Sequence, residues 1–344
     1  MRILLVSPQL FLPWASYTVR ALQRLGHTII AFEETSLLLD RGTARLAELL
    51  PSAEPWLQRQ RRQWHLRRDQ ELLRTAAKTQ PDLIFLLWGK SFSADFLACL
   101  KGSAKCPLVT WWLDDPFLTP LDGNPFPLYD LFFTFDRSYI APLKKAGARD
   151  VRFLPCACDE TVYFPRRLSS QERARYGCEI ALVAWNSPGR IHTVKALAGF
   201  NLKVWGRGWR APETGKILNG EGRRIFQSER FVPDAETAKI YSAAQIGLNI
   251  HSVQTHQAGL NTRSFELLAA GAFQMMDAVP GMEELLEPEK EAVVYRSPEE
   301  AAERARYYLK HPEQRDPIAR RGRERTLREH TYLHRMKTLL GACS

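Results

Sequence analysis

Apolar positions recur along this chain with two periods that take turns. Residues 3–7 and 27–32 are short apolar runs, and residues 82–88 are almost continuously apolar, as in a strand buried on both faces of a parallel sheet. Between the first two runs, Val19, Leu22 and Leu25 recur at helical spacing over residues 16–25, and Gly26 follows, where a left-handed residue commonly ends a helix. A long polar stretch of helical character runs to Thr79 and stops at Pro81. Then come a helix over 93–101, a strand over 107–113 ending in Asp114-Asp115-Pro116, a strand over 131–135, a helix over 138–146 closed by Gly147, and a strand over 151–154. Strands alternating with helices predict a doubly wound α/β domain.

Residues 155–165, bounded by prolines, break this alternation and read as an interdomain connection. It then restarts: strands over 179–185, 202–205, 246–250, 273–276 and 292–295, with helices to Ala198, over 234–244, over 261–270 and over 298–310. The predicted organisation is a first domain over 1–155, a connection over 156–165, a second domain over 166–325, and a final helix over 326–344 that crosses back to the first. In open α/β sheets ligands bind beyond the carboxyl ends of the strands. Two such domains facing each other form a cleft, so candidates should follow strands directly: residues 8–14, 88–91, 114–115, 186–190, 206–209 and 251–260.

Composition narrows the class. Of 344 residues, 45% are hydrophobic and 25% charged, which excludes a disordered chain, and the length suits two domains with separate cores. No apolar run reaches the roughly 18–20 residues of a membrane span. Residues 1–8 carry one basic residue and no cleavage pattern, so they read as a strand and not a leader, and the simplest expected location is the cytoplasm. Six scattered cysteines do not form a disulfide framework, and Cys156-Ala157-Cys158 is too tight for a zinc knuckle. Lys+Arg number 48 and Asp+Glu 38, a net charge of +10 that suits nucleic acid, an anionic membrane or small phosphorylated ligands. The basic residues cluster at 59–68 and 315–335, both of which read first as solvated helix faces. Trp64 among the arginines of the first run is what an interfacial helix carries, which leaves open a peripheral attachment to the inner face of a membrane.

Several strand-end groups suit an anionic ligand. Gly206-Arg207-Gly208 offers flexible backbone and a guanidinium, or an ordinary turn. Ser187 and Arg190 flank a helix start whose free amides suit an anion, or form an ordinary capped loop. Asn261 and Thr262 open a helix on which Arg263 and Glu266, three apart, share a face. An arginine there can neutralise a diphosphate and a carboxylate can accept two ribose hydroxyls; alone, the pair also reads as a surface ion pair. Asp114 and Asp115, at a strand tip, are candidate bases or turn formers, and His251 is a candidate base or a core histidine. No Gly-x-Gly-x-x-Gly follows the first strand, and no complete Gly-x-x-x-x-Gly-Lys-Ser/Thr loop is present, since Gly89-Lys90-Ser91 has Ile84 where the first glycine would stand, against a dehydrogenase or a P-loop ATPase.

The ordered set of residues 202–209, 244–251 and 261–271, the tail at 318–323 and 329–332, and in the first half 111–116 and 154–159, resembles the spore maturation protein CgeB-like family of glycosyltransferases. The resemblance implies the GT-B fold: two facing Rossmann-like domains with a cleft between them. It implies a nucleotide-diphosphate-sugar donor on the second domain, an acceptor of unknown kind (glycan, lipid-linked glycan, small molecule or protein) on the first, and no part for nucleic acid. Glu266 would hold the donor ribose, Arg263 and Arg190 the diphosphate, and Ser187, Asn261, Thr262, Gly206, Arg207 and Gly208 would line the donor pocket. No metal or other cofactor is expected, since such enzymes stabilise the leaving diphosphate with side chains and helix dipoles. Many retaining relatives carry a second glutamate eight positions before the ribose-binding one; here that position is Ala258, which leaves the stereochemistry open. Alternatives are a nucleotide-sugar epimerase of similar build and a non-catalytic binder of nucleotide sugar or membrane.

Overall fold

Two six-stranded sheets, parallel throughout, carry the chain, one in each of two units. The computed structural model describes residues 1–8, 13–34, 36–118, 121–218, 222–251 and 258–343. Unit 1 comprises Met1–Pro155 and Tyr332–Ser344, and unit 2 is Cys156–Thr331, so residues 156–165 lie within the second unit.

Unit 1 runs β1 (Arg2–Pro8), α1 (Trp14–Arg24), β2 (Thr28–Glu34), α2 (Ser36–Leu49), α3 (Glu54–Thr79), β3 (Leu83–Leu87), α4 (Ala94–Ser103), β4 (Leu108–Trp112), β5 (Leu131–Thr134), α5 (Ile140–Lys145) and β6 (Val151–Phe153). Its strand order is β2-β1-β3-β4-β5-β6. β3 and β4 are buried at every position, which is why their sequences do not alternate. The polar stretch before Pro81 forms two helices and not one, because Pro51 opens a short 3-10 turn after Leu50, whose backbone leaves the helical region.

Unit 2 runs α6 (Ser170–Tyr176), β7 (Cys178–Val183), α7 (Pro188–Ala196), β8 (Leu202–Trp205), α8 (Pro212–Ile217), α9 (Gly222–Ile225), β9 (Phe226–Ser228), α10 (Asp234–Ala243), β10 (Ala244–Asn249), α11 (Thr262–Ala269), β11 (Gln274–Asp277), β12 (Val293–Tyr295), α12 (Pro298–Lys310) and α13 (Pro312–Glu329). The order is β12-β11-β10-β7-β8-β9. Helices α6, α8 and α9 and strand β9 were not expected from the pattern, although the Ser169/Glu172 capping box at α6 is a readable start signal. The last helix, α14 (Tyr332–Cys343), returns to unit 1, where the Tyr332 ring meets Tyr17 at 5.3 Å and Trp111 at 5.9 Å. There the buried Arg335 donates from Nε to the Pro155 carbonyl at 2.7 Å.

Each unit has one place where the chain reverses its direction of travel across the sheet. In unit 1 it lies between β1 and β3, in unit 2 between β7 and β10. At such a switch point the loops leaving adjacent strands diverge and open a crevice at the carboxyl ends.

Candidate functional site

In unit 2 the switch point is organised by Arg190. α7 starts at Pro188, directly after the loop leaving β7, which puts Arg190 one residue past the first two helical positions and aims it back over the strand ends. Its Nη1 donates to the Trp185 carbonyl at 2.7 Å and its Nε to the Ile250 carbonyl at 3.0 Å, so one buried guanidinium links the loops that leave β7 and β10. Burial first, and then the nearby Arg263 charge, hold this guanidinium down to about 9 against the opposing Asp277 and Tyr295. Arg190 is thus a clamp on two carbonyls as well as a cation. Ser187 is the residue before α7; its carbonyl accepts from the Arg190 amide at 2.9 Å, while its hydroxyl makes no cap.

The N-terminus of α11 faces the same strand ends. Asn261 caps it, Oδ1 accepting from the Ser264 amide at 3.1 Å, and Nδ2 donates to Asn249 Oδ1 at 3.0 Å. Asn249 Nδ2 in turn donates to Ser264 Oγ at 3.0 Å. His251 completes the network: Nε2 lies 3.3 Å from Ser264 Oγ, and Nδ1 and the backbone amide lie 2.8 and 2.9 Å from Asp277 Oδ1. With both ring nitrogens engaged and the residue buried, His251 anchors the end of β10, and its base-like position in the sequence has this structural cause.

Glu266, one turn into α11, is buried. Burial pushes its carboxyl up to about 8; the Asp234 charge adds to the rise, and Arg263, Thr262 and Tyr163 oppose it. Tyr163 also donates to Asp234 Oδ1 at 3.0 Å, so this tyrosine and Asp234, the first residue of α10, belong to the same buried polar group. Arg263 lies close enough to both Glu266 and Arg190 to act on their charges.

The loop after β8 is built for close backbone approach. Gly206 has φ 136°, and a Cβ there would lie 2.1 Å from the Ala184 carbonyl oxygen. Gly208 has φ 83°, and its amide, with that of Arg210, donates to the Glu229 carboxylate at 2.8 and 2.7 Å. Two amides that could have met a phosphate therefore hold a carboxylate. Arg207 is exposed, and its carbonyl accepts from the Asn186 amide at 2.8 Å.

Unit 1 places Asp114 and Asp115 just beyond β4. Asp115 Oδ1 accepts from the Phe117 amide at 2.7 Å, a turn-forming bond, and Asp114 Oδ1 accepts from the Asp115 amide at 2.9 Å. Burial raises the Asp114 carboxyl, with the backbone bond and Lys90 opposing. Lys90 is delivered by a tight turn after β3 in which Trp88 takes φ 62°, rare for a bulky residue, and the Lys90 amide donates to the Trp88 carbonyl at 2.8 Å. Lys90 Nζ lies 3.9 Å above the Trp88 ring. Beside this turn is a cavity of about 470 Å³ lined by Arg62, His65, Arg68, Asp69, Lys90 and Ser91 among others. Arg68, part of the basic run, is buried against Phe92 at 4.2 Å and bonds Asp69 at 2.6 Å, so it is no part of a solvated face.

The sequence-derived candidates of unit 2 thus gather at one sheet end, around β7, β8 and β10. Sequence reasoning missed Asp277, Glu229, Asp234 and Tyr163. Asp277 had a readable signal, a carboxylate closing an apolar strand; the others pair across distances that no local pattern reports. Of the strand-end loops singled out above, positions 9–12 and 252–257 lie outside the described residues. Among the described residues no group of three or more His, Cys, Asp or Glu side chains is arranged to hold a metal.

Residues 190–341 match the model of a glycosyl transferase-like family. Spore protein CgeB of Bacillus subtilis is 22% identical over 265 residues, spanning 74% of this chain and 80% of CgeB. A glycosyltransferase from Rickettsia africae superposes with a TM-score of 0.69 at 13% identity, over 99% of this chain and 97% of that one. Sucrose-phosphate synthase from Thermosynechococcus elongatus gives 0.69 at 16% over all of both chains, and HepE of Anabaena, in complex with UDP, gives 0.64 at 13% over 99% of each. The resemblance to CgeB holds, and the chain is an α/β protein of the GT-B fold, with residues 190–341 similar to a glycosyl transferase-like family.

Proposed function

We propose that this protein is a glycosyltransferase that binds a nucleotide-diphosphate sugar at the switch point of unit 2 and passes the sugar to an acceptor hydroxyl held by unit 1. The observation that carries the reading is the juxtaposition of Arg190 and Arg263 beside the N-terminus of α11. Like charges brought together at a partly buried place disfavour each other unless an anion joins them, and a diphosphate supplies two charges in the right chemistry. Glu266 accepts the ribose hydroxyls once its proton leaves, and the Gly206–Gly208 loop lets the donor approach main chain. As the diphosphate departs, the two guanidiniums and the α11 amides stabilise its growing charge. In unit 1, Asp114 takes the acceptor proton: burial makes it the stronger base of the two carboxylates, while Asp115 shapes the turn.

HepE has been solved in complex with UDP-glucose, which makes that compound the first probe. UDP and UDP-glucose should raise the melting temperature of the wild type, and Arg263→Ala should weaken that binding by roughly 1–3 kcal/mol, the scale of a charge-assisted hydrogen bond. If no nucleotide sugar from a broad panel stabilises the protein, the donor reading is wrong. Turnover should persist in excess chelator. Product analysis with donor alone separates transfer from epimerisation, which needs no acceptor.

A further inference from the structure

We propose that unit 1 docks onto an anionic bilayer surface through the outer face of α3 and the tip it forms with α2. The inward face of α3 is set by Leu57, Arg68, Leu72 and Ala76, all buried. At 100° per residue this turns Trp56, Arg59, Gln63, Arg67, Gln70, Arg74 and Lys78 to the opposite side, and every one of them is exposed. The stripe runs from Trp56 to Lys78, roughly 33 Å at the helical rise. Its seven positions carry four cations and no acidic residue, with the exposed Glu71 beside them.

Two features mark this stripe. The first is that its charges lack counter-ions. Among the described residues Arg59, Arg67, Arg74 and Lys78 enter no salt bridge, whereas some arginines elsewhere do, such as Arg152 with Asp150, Arg304 with Glu289 and Arg325 with Glu329. The second is a cluster of large apolar side chains at the tip: Leu46, Leu49, Leu50 and Trp56 are 47%, 70%, 56% and 60% exposed. Trp64 and Leu66 flank the stripe, also exposed. Cations beside exposed tryptophan and leucine match the chemistry of a headgroup layer over acyl chains: the arginines meet lipid phosphates while the apolar tip enters the boundary below. Nucleic acid fits less well, because leucines have no ring to stack on a base. A second copy seated two-fold on this stripe would bring its unpaired cations face to face. The inference is independent of the donor reading, since none of these residues belongs to unit 2 or adjoins Asp114.

The test uses the full chain with vesicles of phosphatidylcholine alone and with 30% phosphatidylglycerol, read by co-sedimentation at low and high salt. Anionic vesicles should retain at least tenfold more protein than neutral ones, with most of the difference lost at high salt. Arg67→Gln with Arg74→Gln should reduce anionic-vesicle binding several-fold. Leu49→Ser with Trp56→Ser should abolish the vesicle-induced blue shift of tryptophan fluorescence. All four positions are exposed, so both variants should melt as the wild type does, which confirms that folding is intact. Equal retention by both vesicle types overturns the proposal, as does wild-type binding by both variants. So does a solution dimer that Leu49→Ser with Trp56→Ser dissociates, or binding of a single-stranded RNA oligomer at vesicle-like affinity through the same arginines.

Discussion

Replacing Glu266 by glutamine separates what the carboxyl does for the fold from what it does for a ligand. In the folded protein burial places its proton affinity at about 8, against an ordinary value of 4.5. A carboxyl raised in this way contributes stability that is complete below about pH 4.5 and is lost as the pH climbs through about 8, because the unfolded chain ionises first. Glutamine keeps the shape and does not titrate. The variant should therefore match the wild type near pH 4.5 and gain on it by ~1.4 kcal/mol for each further pH unit, reaching about 3 kcal/mol at neutral pH. Urea unfolding of both proteins at several values between about pH 5 and pH 8 reads this difference directly. On UDP-glucose the sign reverses. The wild type must release about one proton at neutral pH to accept the ribose hydroxyls, so its affinity climbs toward about pH 8, whereas the variant binds weakly with no such slope. Calorimetry in buffers of different protonation enthalpy counts that proton. A stability difference that is flat from pH 5 to pH 8, or that grows in favour of the wild type, would refute a neutral Glu266 and with it the proton-linked donor site.

Three further outcomes follow from the geometry. Arg190→Met strands the Trp185 and Ile250 carbonyls and should cost about 2 kcal/mol by thermal or chemical unfolding, less than a full buried ion because the guanidinium is already disfavoured there. Gly206→Ala drives a methyl into the Ala184 carbonyl and should cost about 3 kcal/mol or more, whereas Gly208→Ala, 3.3 Å from the Asn186 Cβ, should cost about 1 kcal/mol; equal melting temperatures for the two would contradict this. Asp114→Asn should lower kcat by about a hundredfold with the donor KM little changed, while Asp115→Asn should act mainly through the stability of the turn.

The alternation of apolar runs made the two parallel sheets legible, because a strand buried on both faces has few other ways to be written: β3 and β4 are five-residue blocks of this kind. Short elements were harder. β9 is three residues long and pairs irregularly with β8, so it leaves almost no periodic trace. The residues proposed for the donor side lie where caps and turn glycines act locally, as at Asn261 and Gly206, so their local structure was readable. Their roles were not. That Arg190 bonds the Trp185 carbonyl and one sixty residues further along at Ile250, or that Glu229 occupies the amides of Gly208 and Arg210, is decided by which strands become neighbours. Arg68 shows the same limit: within a run of arginines nothing marks the one that turns inward onto Phe92.

The return of α14 to unit 1 has a consequence for how the chain acquires its shape during synthesis. Unit 2 is one uninterrupted stretch, Cys156–Thr331, and its sheet can assemble as soon as that stretch has left the ribosome. Unit 1 is made first but waits for its closing piece. Until residues 332–343 emerge, Tyr17 and Trp111 lack the ring of Tyr332, and the Pro155 carbonyl lacks its arginine. The earlier-synthesised unit is therefore the later one to finish, and a stop codon shortly before Tyr332 would leave unit 2 whole while uncovering an aromatic patch on unit 1 for chaperones and proteases to find.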